Sequence, residues 1–163
     1  MKHVRWIFVA ILLFSLTSFI DKGRPTSGLS VGNVAPDFSL GNDEKKCLEA
    51  LKGNYVLLSF WASYDASART SNTLFDHALK DLSPNQHVEM VSVSFDEYPS
   101  IFNETIKQDQ LESSHCYVDI SGEASNLFDI YHLNRGFSNY LLDKEGIIIA
   151  KNITVDQLSD YIK

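Results

Sequence analysis

Cysteine is nearly absent from this chain of 163 residues: Cys47 and Cys116 are its whole supply, and they form no Cys-x-x-Cys. Two isolated thiols exclude a disulfide scaffold and a cysteine-rich zinc site. Histidine is no better placed for metal, because His77, His87, His115 and His132 lack ligand spacing. His115 and Cys116 are adjacent, and strand neighbours point to opposite faces. Basic residues are also few, 14 Lys plus Arg against 21 Asp plus Glu, for a net charge of -7. A nucleic-acid partner is therefore not expected, since phosphate binding needs a basic face. Only 4 prolines and 8 glycines accompany 44% hydrophobic residues, which excludes collagenous and disordered classes. Serines abound, but no Gly-x-Ser-x-Gly frames one, so the usual hydrolase signature is missing. Nothing calls for a cofactor. What is present suits one domain large enough to bury its own core.

Residues 1–20 read as a targeting segment, either a signal peptide or an N-terminal membrane anchor. Lys2, His3 and Arg5 form a basic head, and no charge occurs from Trp6 to Ile20. The apolar stretch is short for a spanning helix, which needs ~20 residues, and suits an export signal better. Removing it moves the net charge from -7 to -9, because Lys2 and Arg5 leave with no acid. Either form implies an extracytoplasmic domain, in the periplasm or secreted, touching membrane only through an uncleaved segment. Residues 21–33, with Gly23, Pro25, Gly28 and Gly32, have a linker composition.

From residue 34 to 163 strand and helix signals alternate. Phe38 and Leu40 suggest a short N-terminal strand. Tyr55–Trp61 is a near-continuous apolar run, as expected of a buried central strand. The spacing predicts a helix over Ala66–Leu82, with Leu74, Phe75, Ala78 and Leu79 on its apolar face and Pro84 and Asn85 beyond its end. Val88–Phe95 alternates as a second strand. Helices are expected over 99–110 and 123–131, and a short strand at 116–118. Strands at 139–142 and 147–150 flank the turn Asp143–Gly146. Thr154 to Gln157 is a capping box for a last helix. Strands separated by helices predict an α/β fold with a mainly parallel sheet closed by an antiparallel hairpin.

Three spaced segments then carry a resemblance. Val34-Ala-Pro-Asp-Phe-Ser-Leu40, the turn Leu48-Glu-Ala-Leu-Lys-Gly53, and Val56-Leu-Leu-Ser-Phe-Trp-Ala-Ser63 resemble the opening of thioredoxin-like proteins of the TlpA type, related to the AhpC/TSA and thioredoxin group. Gly136 to Ile149 resembles their "GxPTxFLIDKxGxI". The likeness runs from about Val31 to Lys163. It implies a thioredoxin-like fold: a central mixed β-sheet flanked by helices, with a short N-terminal strand extension. It also implies thiol–disulfide exchange, and here the chain departs. Asp65 and Ala68 stand at the two family cysteine positions, Tyr64 at the preceding Trp, and Ser138 at the cis-proline. Ser59 occupies the place of thioredoxin's buried acid. No catalytic residue of the exchange device therefore remains at its position.

Each loss has a physical meaning. Exchange begins with a thiolate stabilised at a helix N-terminus, and a carboxylate there cannot attack a disulfide. Asp65 is expected as the N-cap of the helix with Arg69 as its i+4 partner. Ser138 predicts a trans peptide, since a cis bond before a non-proline costs ~2.5–4 kcal/mol. Asp43-Glu44 and Asp96-Glu97 read as solvated loop charges. Ligands of such sheets meet the loops at strand carboxyl ends, which would gather Tyr64, Asp65, Asp96, Phe137 and Ser138 on one surface. Two functions stay open. One is a binding or accessory module using Tyr64, Asp65, Phe137 and Ser138 as a groove for an envelope protein or peptide. The other is a retained thiol–disulfide oxidoreductase or redox-homeostasis role through Cys47 or Cys116, which otherwise read as half-buried hydrophobes.

Overall fold

The computed structural model describes residues 25–41, 47–80 and 88–162. Its centre is strand β1, Tyr55–Trp61, buried from Val56 onward. A strand covered on both faces has no use for polar alternation, which is why the run is apolar except at Ser59. Around it lie α1 Ala66–Lys80, β2 Val88–Ser94, α2 Pro99–Gln108, β3 Cys116–Val118, α3 Asn126–Ile130, β4 Asn139–Leu142, β5 Ile148–Lys151 and α4 Val155–Tyr161. The sheet order is β3-β2-β1-β4-β5. β1 runs parallel to β2 and antiparallel to β4, with Ser59 opposite Ser92 on one side and Asn139 on the other. The sheet is thus mixed, parallel in its first half and closed by the expected hairpin. Among the described residues no helix is long and apolar enough to cross a membrane.

Alternation along β1 divides the core. Val56, Leu58 and Phe60 join Val91, Val93, Phe95, Tyr131 and Tyr140 on one face. Leu57 meets Phe75, Met90, Leu141 and Leu158 on the other. Phe60 is the hub of an aromatic cluster, with ring centroids 4.6 Å from Tyr131, 6.0 Å from Phe95 and 6.2 Å from Tyr140. Tyr131 donates its hydroxyl to the Pro36 carbonyl at 2.6 Å, so the cluster also holds down the N-terminal segment.

Several sequence expectations change in detail. Phe38 and Leu40 form no strand; a single bridge, Val34 with Ile147, joins the extension to the residue before β5, and another, Ser39 with Cys47, lies within the extension. Within 21–33, the residues from Thr26 on are hydrogen-bonded to the fold: Thr26 O accepts from Val34 N–H at 3.0 Å and Ile148 O from Gly32 N–H at 2.9 Å. The helix expected over 123–131 is split into a 3₁₀ turn at Gly122–Ala124 and α3, because Ser125 caps α3 by accepting from Leu127 N–H. The fifth strand starts at Ile148, Ile147 being only a bridge. Leu74 is 55% exposed, so the buried face of α1 is Asn72, Phe75 and Asp76 rather than an apolar stripe through Leu74. The strand at 116–118 and the capping box hold, with Gln157 Oε1 accepting from Thr154 N–H at 3.0 Å. Asp43-Glu44 and the expected stop at Pro84-Asn85 lie outside the described residues.

Phe60→Ala should lower unfolding free energy by about 3–5 kcal/mol, measured by urea denaturation, whereas Leu74→Ala should stay within about 0.5 kcal/mol of the parent.

Candidate functional site

The chain leaves β1 at Trp61, passes buried Ala62, and turns through Ser63, Tyr64 and Asp65 into α1. Asp65 is the cap that its position predicts: its Oδ1 accepts the Ala68 N–H at 2.9 Å. A helix start leaves N–H groups without intrahelical partners, and a short carboxylate satisfies one of them. Arg69 is not its ion partner. The guanidinium instead makes a two-point pair with Asp109 beyond α2, Nε to Oδ2 and Nη2 to Oδ1, both 2.6 Å. The fork of arginine fits a carboxylate edge-on, which the i+4 geometry toward Asp65 does not offer.

Asp96 is likewise misread as a solvated charge. It is 3% exposed. Its carboxylate accepts the Ser63 N–H at 3.0 Å and the Ser63 hydroxyl at 2.5 Å, and the Ser94 hydroxyl donates at 2.7 Å. The end of β2 therefore fixes the turn that leads into α1. Glu97, the next residue, is exposed as expected.

The opposite wall is the segment before β4. Gly136 has φ +113, a conformation that L side chains rarely adopt, and it turns the chain from the Leu133–Arg135 3₁₀ helix toward Phe137. Ser138 accepts the Phe60 N–H through its carbonyl at 3.1 Å, and there is no cis peptide among the described residues. Asn139 clamps Ile153 from both sides, donating to its carbonyl at 3.0 Å and accepting from its N–H at 2.9 Å. Between the walls runs a groove of about 390 Å³ lined by Asp65, Ala68, Phe137, Ser138, Ser59 and Asn152, among others.

Tyr64 stands at the rim, 63% exposed, its ring 6.3 Å from that of Phe137. Phe137 is half-buried and stacked on Phe95 at 6.0 Å. One ring thus finishes the core while its neighbour faces solvent. Asp65, Phe137 and Ser138 line the groove, whereas Tyr64 is not part of its lining and meets it only through the Phe137 ring, and the buried Asp96 holds the turn before Asp65.

The cysteines sit elsewhere. Both are free and half-buried. Cys116 lies on β3 opposite Ser92. Burial pushes its thiol up from 9.0 to about 11, against a hydrogen bond to Ser92 that lowers it. A second feature invisible in the sequence lies beside it: Trp61 Nε1–H donates to Ser92 Oγ at 2.8 Å, and that hydroxyl donates to Asn72 Oδ1 at 2.9 Å. These groups tie α1 to the sheet below the groove.

Asp65→Ala should cost about 1 kcal/mol of stability and Asp65→Asn a few tenths, since asparagine caps as well. Asp96→Ala should cost more, about 1.5–3 kcal/mol, because it removes the acceptor of the Ser63 N–H and hydroxyl and of the buried Ser94 hydroxyl. Denaturant titration of the three variants checks the order.

A scan against family models matches the AhpC/TSA family over residues 31–151. No curated protein matches the chain. Among solved structures, a thioredoxin-like protein from Parabacteroides distasonis is 37% identical with TM-score 0.71, covering 83% of this chain and 96% of its own. A thiol-disulfide oxidoreductase from Bacteroides fragilis is 28% identical with TM-score 0.64, covering 78% and 96%. The thioredoxin domain of a thiol-disulfide oxidoreductase from Bacteroides vulgatus, at 22% identity and TM-score 0.70, covers 83% and 100% and shares the fold. The segments that carry the likeness, the mixed sheet and these matches converge: the chain belongs to the AhpC/TSA family and has the thioredoxin-like fold of the family's thiol–disulfide oxidoreductases.

Proposed function

We propose that this protein is an extracytoplasmic binding or accessory module that holds a polypeptide segment in the groove without exchanging disulfides there. The observation that carries the reading is the groove itself. Its walls are kept while the residues at the two thiol positions are a helix-capping carboxylate and a methyl group, Asp65 and Ala68. Thiol exchange needs a nucleophilic sulfur and a second one to release the mixed disulfide. Neither substituent can accept the electrons. What remains is shape, two aromatic rings and hydrogen-bonding groups, which suit binding. The basic head and apolar run of residues 1–20 support placement outside the cytoplasm.

The second reading keeps the oxidoreductase activity of the family through Cys47 or Cys116, and the B. fragilis neighbour favours it. For Cys116 the raised thiol works against that role, since the thiolate is the nucleophile.

Turnover of a small disulfide substrate with a thiol reductant should stay at background for the parent protein. An Asp65→Cys/Ala68→Cys variant should exceed it, and turnover by the parent well above background would sink the proposal. A pull-down from envelope extract should catch a partner that Tyr64→Ala and Phe137→Ala each weaken; a partner kept undiminished by both would place binding on another surface.

Cys116 should titrate at about 11 by thiolate absorbance. Burial favours the neutral thiol, so its contribution to stability is complete below pH 9.0 and lost as pH rises through about 11. A native thiol ionising near neutral pH would favour the redox reading instead.

A further inference from the structure

We propose that the groove selects segments carrying arginine or lysine, with the cationic side chain laid across the Tyr64 ring and answered by the carboxylates of Asp65, Glu97 and Glu123. This rests on the reading of the groove as a polypeptide site. It goes further by stating the chemistry of the occupant.

The first observation is the unusual pairing at the rim. Tyr64 is 63% exposed beside a formed groove, and Phe137 holds one side of it at 6.3 Å. Its free face is an electron-rich surface of the kind that attracts a guanidinium or ammonium. The second is the sign of the surrounding charge. Partial burial raises the Tyr64 phenol pKa, and the charges that add to the rise are Glu123, Asp96, Asp65 and Glu97, all acidic. Two of these are already engaged: Asp96 holds Ser63 and Ser94, and Asp65 caps α1 while facing the groove.

Glu97 and Glu123 are exposed, and neither makes an ion pair among the described residues. They are neighbours in space. A Cβ added at Gly122 would lie 2.8 Å from Glu97 Cγ, so the Glu97 chain packs on the turn that carries Glu123. Arg69, four residues beyond Asp65, cannot serve as counter-charge. Arg69 is held by Asp109 at 2.6 Å through both guanidinium contacts. The rim therefore presents an aromatic face and unpaired carboxylates to whatever enters. An acidic segment would be repelled, and a neutral one would leave the carboxylates unanswered. Arginine fits better than lysine because its planar head stacks on a ring while its fork meets carboxylates.

The probe is a fluorescein-labelled, unstructured twelve-residue peptide with arginines, beside a sequence-matched peptide in which citrulline replaces each arginine. Binding to the purified full-length protein is read by fluorescence anisotropy. The arginine peptide should bind at least about tenfold more tightly at low salt, the gap narrowing as salt screens it. Glu97→Gln/Glu123→Gln should remove most of the gap. Glu49→Gln/Glu145→Gln changes the same charge at the far end of the sheet and should leave it intact. Tyr64→Ala should weaken the arginine peptide. If both peptides bind equally and both depend on Tyr64, the charge selection is wrong while the groove reading stands. If the arginine preference survives both the Tyr64→Ala and the Glu97→Gln/Glu123→Gln changes, the preference comes from the overall negative charge and the proposal falls. If neither peptide binds, the groove reading falls with it.

Discussion

The buried carboxylate of Asp96 is the point on which the site depends. It closes β2 by accepting from Ser94 and reaches across to the N–H and hydroxyl of Ser63, between β1 and α1. A charged group at 3% exposure costs several kcal/mol unless it is fully hydrogen-bonded, and here its acceptor sites are occupied. The turn that presents Tyr64 and Asp65 is consequently pinned to the central sheet. On the other wall Gly136 and the carbonyl of Ser138 do the same for Phe137. The groove is therefore positioned by the sheet and keeps its shape without help from the residues that would do exchange chemistry.

On the proposed function, that separation is what lets a redox scaffold give up its chemistry and keep its form. The first cysteine position lies at a helix start, where a carboxylate is an equally good or better occupant for stability. Asp65 takes the orphan N–H of Ala68 and needs nothing else to be accommodated. The second position faces the groove, and the methyl of Ala68 leaves space there. With a trans peptide entering Ser138, the wall is held by backbone hydrogen bonding rather than by a proline ring. On the same proposal, recognition by rings and carboxylates uses this frame without electron transfer. Cys116 sits apart on β3, in the Ser92–Asn72–Trp61 network, as part of the packing under α1.

Much of the fold was legible because burial leaves a one-dimensional trace. The apolar run Tyr55–Trp61 could only be a covered strand, and Thr154 to Gln157 spelled a cap. The candidate groove was picked out for a different reason: the resemblance says which residues stand at the family's cysteine and proline positions. What escaped was set by tertiary pairing. Asp96 next to Glu97 looks like any acidic loop, and nothing local says that Ser63 and Ser94 will converge on it. Spacing along the helix points Arg69 at Asp65, but Asp109 just beyond α2 offers both oxygens to its fork. Leu74 fitted the helical period, yet Asn72 and Asp76 took the buried face because Ser92 and the Glu112 N–H supply their partners.

The protein's role turns on whether a polypeptide occupies this groove without a thiol taking part. The direct measurement is amide chemical-shift mapping of the protein with an arginine-containing unstructured peptide, before and after both cysteines are alkylated under denaturing conditions and the protein refolded. Shifts should concentrate at residues 63–68 and 136–139 and be the same in both samples. Shifts centred on the Cys116 strand, or a response that alkylation abolishes in a protein still folded, would contradict the proposed function.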